Sequence, residues 1–234
     1  MARLPRLYVP GCSHHIIQRG NNRDACFFDE RDYAFYLQQL QISAEQFGVA
    51  IHTFVLMTNH VHLLVTPKAA DSCAKMMQSL GRKYVKYINL TYRRTGTLWE
   101  GRYKSTLVDS ELYFLTVSRY IELNPVRANM VANPSEYTWS SYRGNAMGKE
   151  IRLLTPHPVY LALGETTAQR IIRYRNLFGD VNPLDMLDQI RECTNKSWAS
   201  GGSKCRVQIE AAANRRIESR GWGGDRKSKR LKDQ

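Results

Sequence analysis

The sequence lacks several features that would place it in common classes of protein. No apolar run approaches the ~20 residues that a membrane-spanning helix requires, and the opening MARLPRLYVPGCSHHIIQRG has no apolar block of the signal-peptide type. The five cysteines include no C-x-x-C pair, which indicates neither a zinc site nor a disulfide framework. Residues 50–70 contain no aspartate or glutamate, which argues against the carboxylate cluster of a two-metal nuclease. We therefore expect a cytoplasmic protein that does not enter a membrane.

Acidic residues are scarce in one part of the chain, and the formal net charge is +13. Residues 1–74 and 105–164 each sum to zero. Residues 75–104 hold eight basic residues and one acidic residue, and residues 165–234 hold fifteen basic and nine acidic residues. Two separate basic segments on a neutral body indicate a polyanionic partner.

The stretch TNHVHLLV, residues 58–65, places two histidines in an apolar and β-branched run. The run predicts two strands that turn at Thr58 and Asn59. Because alternate residues of a strand face the same side, His60 and His62 should lie side by side. Two adjacent imidazoles can bind one divalent metal ion. The alternative is a pair of half-buried polar residues on a sheet face, and the pattern alone leaves both open.

The first basic segment contains a predicted amphipathic helix, KMMQSLGRKYVKYINLTYRR. Four of its basic residues form a line opposite the apolar side, namely Lys75, Arg82, Lys86 and Arg93. An ordinary solvated face mixes both signs, so this line favours phosphate binding. The segment LWEGRYKSTLVD follows and predicts a strand over 98–108. Most of the interleaved aromatic residues are expected in the core, although some could stack on bases. The candidate phosphate-binding residues are Lys75, Arg82, Lys83, Lys86, Arg93, Arg94, Arg102 and Lys104.

The segment DSELYFLTVSRYIELNPVRA predicts a helix that starts after a cap-type Asp-Ser pair. It should end near Asn124, because Pro125 disfavours helical geometry in the residue before it. Tyr120 and Asn124 are four residues apart and share a face, and Tyr113 lies on nearly the same face. Packed on the sheet face of the two histidines, this helix would bring a tyrosine nucleophile beside a metal site. The alternative is a core tyrosine and a C-terminal cap.

The predicted elements occur in the order strand, helix, strand, strand, helix, strand, helix. The first six match the β-α-β-β-α-β pattern, in which helices cover one face of an antiparallel sheet. We therefore predict an α+β fold with a ferredoxin-like antiparallel sheet, in a domain over residues 1–150. Residues 151–234 are predicted to form a helical extension with a basic, flexible tail. Its helices are expected at ETTAQRIIRYRNLFG, PLDMLDQIREC and RVQIEAAANRRIESRG.

Four segments in order, HHIIQRGNNR, MTNHVHLLVTP, LWEGRYKS and RYIELNPVRANMV, resemble the REP-associated tyrosine transposases. These are relatives of single-stranded-DNA transposases in the HUH endonuclease superfamily. The resemblance implies that the two-histidine metal motif falls on His60 and His62. It also implies that Tyr120 is the nucleophile and Asn124 the third metal ligand. Thr58 stands where proline is commoner, which should affect only the turn.

The resemblance further implies a metal-dependent transposase that cleaves single-stranded DNA at short palindromic repeats. Mg²⁺ or Mn²⁺ is the expected cofactor. Single-stranded DNA with hairpin repeats is the expected partner, bound by a monomer or homodimer associated with the nucleoid. Attack by the tyrosine would leave a 5′-phosphotyrosine link and a free 3′-OH. Two other functions stay open: a catalytically idle nucleic-acid-binding protein of the same fold, and a nuclease that uses a metal-bound water.

Overall fold

The computed structural model of the protein describes residues 9–108 and 110–179. Within these residues, one antiparallel sheet contains four strands in the order β2-β3-β1-β4. The strands are β1 (Ser13–Arg19), β2 (Val49–Met57), β3 (His60–Pro67) and β4 (Lys104–Val108). This arrangement, built from a β-α-β-β-α-β chain, is the predicted ferredoxin-like sheet. The predicted α+β class is confirmed.

Helices cover both faces of the sheet. The α-helices of the described ranges are α1 (Glu30–Phe47), α2 (Ser72–Thr91), α3 (Ser110–Glu122), α4 (Asn124–Arg127), α5 (Tyr142–Asn145), α6 (Pro158–Leu161) and α7 (Thr167–Asn176). Helices α1 and α2 pack against each other on one face, as predicted for the first six elements, and α3 packs on the opposite face. None of the described helices is long and apolar enough to cross a membrane.

Local signals in the sequence explain the ends of α1. Asp29 caps its N-terminus in a capping box with Asp32. Gly48 ends the helix in the left-handed region at φ 63°, a conformation that glycine adopts readily. The buried Asp32 carboxylate also accepts hydrogen bonds from the Tyr87 and Tyr92 hydroxyls, which joins α1 to α2 and the turn that follows it.

Side chains alternate along β3 between two different environments. The residues that face α1 and α2 belong to a large apolar core with the neighbouring strands. The residues that face α3 include both histidines of the hairpin, with Leu64 packed into a smaller core. The strand residues of the larger core are Ile16, Val49, Ile51, Phe54, Leu56, Val61, Leu63 and Val65. The predicted turn at Thr58 and Asn59 joins β2 to β3, with Met57 opposite His60 in the register.

Strand β4 is shorter than predicted. It begins at Lys104, because Gly101 has a φ of 135° that extended L-residues rarely adopt and breaks the strand path. Before this break, Trp99 forms only an isolated bridge with Gly20, and its side chain is buried in the larger core. Arg102 therefore precedes the strand that holds Lys104, and the prediction of a strand over 98–108 was wrong for residues 98–103.

Two helix ends also differ from the predictions. Helix α2 ends at Thr91, and Arg93 follows in a turn with a φ of 49°, so this arginine does not continue the basic line. Helix α3 ends at Glu122 rather than near Asn124, which instead begins the short helix α4. Pro125 is tolerated there because the first turn of a helix needs no partner for its missing N–H.

Residues beyond 150 pack on the same body as the sheet. The Thr155 N–H donates to the Ile51 carbonyl, and Ile51 forms a parallel bridge with Leu154. Helix α7 lies within the predicted segment 165–179, with Tyr174 fully buried. The division at residue 150 remains a prediction. The two later predicted helices and the basic tail lie outside the described residues.

Candidate active site

The two hairpin histidines lie on the sheet face covered by α3. The register places His62 opposite Ile17 and Val55, and His60 opposite Arg19. The His60 and His62 ring centroids are 5.0 Å apart. The side-by-side arrangement expected from their two-residue spacing is therefore present.

Helix α3 places Tyr120 against His62 and the neighbouring His15. Its ring centroid lies 5.9 Å from that of His62 and 6.0 Å from that of His15, with both rings edge-on to the tyrosine. Tyr113, the other tyrosine of the predicted face, is partly buried against the smaller core. Tyr120 therefore lies beside two of the histidines, and a catalytic role for either tyrosine is a prediction.

Asn124 directly follows the α3 turn that carries Tyr120. Its Nδ2 donates to the carbonyls of Tyr120 and Ile121, at 3.0 and 3.1 Å. These bonds fix the amide, and Oδ1 is then the atom suited to a metal ion. No hydrogen bond within the described residues joins Asn124 to either imidazole. The side chain thus serves the end of the helix, which was the alternative left open by the sequence, and its metal role stays a prediction.

Both histidines are held through the same ring nitrogen. His60 Nδ1 lies 2.6 Å from Asn59 Oδ1, and His62 Nδ1 lies 2.9 Å from His15 Nε2. These bonds do not involve Nε2 of His60 or His62. A lone pair on that nitrogen is what a cation would need. Two imidazole nitrogens and an amide oxygen fit Mn²⁺ or Mg²⁺ and do not exclude Zn²⁺. Over residues 9–108 and 110–179 no three His, Cys, Asp or Glu residues group as a metal site.

The surroundings keep these imidazoles neutral. Burial, followed by the positive charge of Arg19, lowers the pKa of His60 to about 4. Burial lowers the pKa of His15 to about 3. The pKa of His62 lies well below its ordinary value because of burial first, then the neighbouring imidazoles, then Arg127 and Arg19. All three rings are neutral at pH 7, which is the form that binds metals.

Two arginines of this face were not identified from the sequence. The Arg127 guanidinium lies 4.2 Å from the centroid of the Tyr120 ring and donates to the Tyr120 carbonyl. Arg19 is the cross-strand partner of His60. The two-residue alternation along β1 could have predicted that Arg19 faces the same side as His15. The position of Arg127 depends on the α4 turn, which no periodicity predicts.

The predicted phosphate-binding residues lie mainly on the other side of the molecule. Helix α2 belongs to the opposite sheet face, and its four cations are exposed. These are Lys75, Arg82, Lys83 and Lys86, here termed the α2 cations. Lys75 pairs with Asp71 at 2.6 Å, which offsets its charge. The Arg94 guanidinium lies 5.3 Å from the ring centroid of the partly exposed Phe28. Arg93, Arg102 and Lys104 are exposed.

The aromatic residues between these cations mostly stabilise the fold, as expected. Tyr84 and Trp99 are buried in the larger core. Tyr87, Tyr92 and Tyr103 pack against it with partial exposure. These five aromatic side chains therefore offer little exposed ring surface on which a base could stack.

A buried carboxyl behind the site was also missed. Glu122 is fully buried and accepts hydrogen bonds from Ser141, Asn145 and Tyr174. Burial raises its pKa from 4.5 to about 7, and the three hydrogen bonds oppose the shift. A glutamate in the otherwise apolar stretch YIEL was the available signal. Its contacts join the end of α3 to α5 and α7, so its role is structural.

Comparison with known proteins places the chain in a family. The search of curated proteins finds no match. A structure of a REP-associated tyrosine transposase bound to a REP hairpin is similar over 68% of this chain and 93% of that chain, with a TM-score of 0.55 and 16% identity. A protein from Deinococcus radiodurans R1, described as a transposase, is 24% identical over 52% of this chain and 96% of that chain; its TM-score of 0.37 carries no argument.

The similarity to the REP-associated tyrosine transposase structure supports the fold. The family model described as "Transposase IS200 like" matches residues 8–124, which is half of the chain. The matched range begins before β1 and ends at Asn124, so it includes the whole sheet, both imidazoles and the tyrosine helix. The family resemblance drawn from the sequence motifs is confirmed: the chain belongs to the IS200-like transposase family.

Proposed function

We propose that this transposase is a metal-dependent endonuclease and strand transferase that acts on single-stranded DNA at short palindromic repeats. The observation that supports this proposal most strongly is the position of Tyr120. Its ring lies edge-on to two neutral imidazoles, on a helix whose end carries a fixed amide. Tyr120 is also packed in the smaller core, and its position beside a candidate metal-binding ring is what a tyrosine that attacks a metal-bound phosphate requires.

The reaction is one transesterification. The Tyr120 phenolic oxygen forms a bond to phosphorus and loses its proton to water or a base. The bond from phosphorus to the 3′ oxygen breaks, and that oxygen takes up a proton to become a free 3′-OH. The 5′ side remains attached to Tyr120 as a phosphodiester, which stores the bond for later rejoining. Attack by a 3′-OH reverses the same steps.

The other residues of the site would bind the metal ion and the phosphates. Nε2 of His60, Nε2 of His62 and Oδ1 of Asn124 would hold Mg²⁺ or Mn²⁺. A bound ion supplies positive charge that offsets the charge developing at the phosphate. Arg127 and Arg19 add two fixed cations on the same sheet face and would contact the phosphates on either side of the cleaved bond.

The α2 cations would bind another part of the same DNA. The sheet separates them from Tyr120, so they cannot contact the phosphate that is cleaved. A hairpin with a single-stranded flank offers two such parts, a stem and a strand. We assign the stem to the α2 cations together with Arg93, Arg94 and Arg102. Lys104 shares a sheet face with Ile17 and would accompany the strand. DNA as the substrate implies a cytoplasmic, nucleoid-associated location.

The nucleophile can be tested with matched tyrosine variants. The protein is incubated with Mn²⁺ and a labelled pool of single-stranded hairpin oligonucleotides whose loops and flanks are randomised. The wild-type protein should form an adduct that survives denaturing electrophoresis. Tyr120→Phe should abolish the adduct and retain DNA affinity, because it removes one hydroxyl. Tyr113→Phe serves as the control and should form the adduct normally.

The other outcomes identify the alternatives. An adduct that persists in Tyr120→Phe and disappears in Tyr113→Phe would move the nucleophile to Tyr113. Cleavage without any adduct, unchanged in both variants, would indicate a nuclease that uses a metal-bound water. Hairpin binding with no cleavage under any metal would indicate an idle DNA-binding protein.

A further inference from the structure

Two polar residues near the proposed metal ligands have no part in the reaction described above. His15 lies in β1 and is 1% exposed, and Asn59 lies in the turn before β3. Each makes its hydrogen bond to Nδ1 of a candidate ligand, His15 to His62 at 2.9 Å and Asn59 to His60 at 2.6 Å. The same ring atom is therefore engaged in both histidines, from two unrelated parts of the chain.

A neutral imidazole carries one proton, on either Nδ1 or Nε2. Asn59 Oδ1 can only accept a hydrogen bond, so His60 must donate from Nδ1 and keep its lone pair on Nε2. The side chain of Asn59 cannot turn over freely, because its Nδ2 donates to the Arg23 carbonyl at 2.9 Å. Its main chain is also held, since its carbonyl accepts from the Gly20 N–H at 2.8 Å.

The loop over residues 20–24, which supplies the Arg23 carbonyl to Asn59, brings main-chain atoms unusually close together. A Cβ on Gly20 would lie 2.2 Å from the Asp24 carbonyl oxygen, so only glycine fits there. Asn22 and Arg23 adopt positive φ values of 51° and 64°, which cost free energy in residues other than glycine. This strained loop points the Arg23 carbonyl at Asn59, and the amide then presents its oxygen to His60.

The His15 contact allows two proton arrangements. If His62 donates from Nδ1, its Nε2 keeps a lone pair and His15 carries its own proton on Nδ1. If His15 donates from Nε2, the His62 proton is on Nε2, where it blocks a cation. We infer that His15 accepts from His62, so that His15 and Asn59 act as a matched pair of positioning residues that turn the Nε2 lone pairs of His62 and His60 toward one metal ion. This inference rests on the proposed metal site.

Nuclear magnetic resonance tests the inference before any metal is added. Long-range proton–nitrogen spectra of the ¹⁵N-labelled, metal-free full-length protein report the tautomer of each of its six histidines. Histidine-to-glutamine variants assign the signals. Both His60 and His62 should carry the proton on Nδ1. An Nε2-protonated His62 in the wild-type protein would overturn the inference, whatever the metal affinity is.

Metal binding gives the second readout. Loss of such an outer partner typically weakens binding about 10–100-fold. Mn²⁺ titrations followed by electron paramagnetic resonance should show this loss in His15→Leu and in Asn59→Ala. His15→Gln keeps an acceptor at a similar reach and should restore most of the affinity. His14→Gln is the matched control, because His14 is equally buried on the neighbouring β1 position that faces the other way, and it should bind Mn²⁺ normally.

Different results would contradict the proposed metal site and the positioning role of His15 and Asn59. Wild-type protein that binds no Mn²⁺ but has both Nδ1 tautomers would contradict the metal site and leave the hydrogen-bond assignment intact. Wild-type protein that binds Mn²⁺ and loses no affinity in folded His15→Leu and Asn59→Ala would contradict the positioning role and leave the metal site intact. Circular dichroism establishes which variants are folded, and if His15→Leu is not, the wild-type tautomers and His15→Gln decide.

Discussion

The two faces of the central sheet are built from the same strands but serve different purposes. On the face of α1 and α2, β3 contributes Val61, Leu63 and Val65, which are all fully buried in one apolar core. On the face of α3, the same strand contributes His60, His62 and Leu64. The first face supplies the hydrophobic stabilisation that allows the second to hold three buried or partly buried imidazoles near two arginines and a tyrosine. A single strand can therefore separate stability from chemistry through its two-residue alternation.

The largest effect is expected from His62→Gln, which removes an imidazole from the proposed metal site. Charge stabilisation by a metal is worth several kcal/mol, so strand cleavage should fall by about a thousandfold or more, equivalent to about 4 kcal/mol. The denaturation midpoint should change much less than in Leu63→Ala. Single-turnover cleavage of a labelled hairpin gives the rate. A His62→Gln protein that cleaves normally would show that this imidazole does not act in the reaction.

A substitution of the neighbouring residue should have the opposite profile. Leu63 is fully buried between the sheet and the helix layer, and truncation of such a side chain costs about 2–5 kcal/mol of unfolding free energy. Leu63→Ala should lower the urea midpoint accordingly while the cleavage rate per folded molecule stays near normal. An equal loss of rate in the folded variant would mean that the two faces are coupled.

The difference between the faces also explains how much the sequence predicted. Alternation placed His60 beside His62, and the four-residue spacing placed Tyr120 one turn before Asn124. These are local patterns. The contact between His15 and His62 depends on the register of β1 against β3, which fixes which of two adjacent histidines faces α3. That register is a long-range property that no local pattern contains.

Other differences arose where local geometry overrides periodicity. The strand predicted from residue 98 was interrupted at Gly101, where the backbone turns away. Arg127 reaches the tyrosine because α4 begins a new direction after Glu122. Glu122 itself reads as a surface residue, and its partners Ser141, Asn145 and Tyr174 come from segments far along the chain.

The buried carboxyl gives a prediction on pH. The pKa of Glu122 is about 7 in the folded protein against an ordinary 4.5, so protonation stabilises the fold below pH 4.5 and this contribution is lost as pH rises through 7. By linkage, the unfolding free energy of the wild type minus that of Glu122→Gln should fall by about 3 kcal/mol between pH 4.5 and 8. Taking the difference cancels the buried histidines, whose lowered pKa values act in the opposite direction. Urea titrations at several pH values measure it, and a flat difference would contradict a buried protonated carboxyl.

The smallest effects are expected on the outer surface of α2. Arg82→Ala and Lys86→Ala should each reduce the salt-dependence slope of DNA binding by about 0.7 if they contact single-stranded DNA, and by about 0.9 on a duplex stem. The cleavage rate at saturating DNA should not change, because the sheet separates these residues from Tyr120. Lys75→Ala should have a smaller effect, since Asp71 already pairs with this lysine. Affinity titrations over a range of salt concentrations provide the slopes. Unchanged slopes in all three would assign the DNA to another surface.

The central claim is that the α3 face forms a covalent bond to DNA through Tyr120. Trypsin cleavage after Arg119 and Arg127 releases YIELNPVR, in which Tyr120 is the only tyrosine, whereas Tyr113 lies in the preceding peptide STLVDSELYFLTVSR. Mass spectrometry of the trypsin- and nuclease-treated adduct should therefore find the added nucleotide on YIELNPVR. A nucleotide found on the preceding peptide or elsewhere in the chain, or cleavage without any modified peptide, would contradict the account.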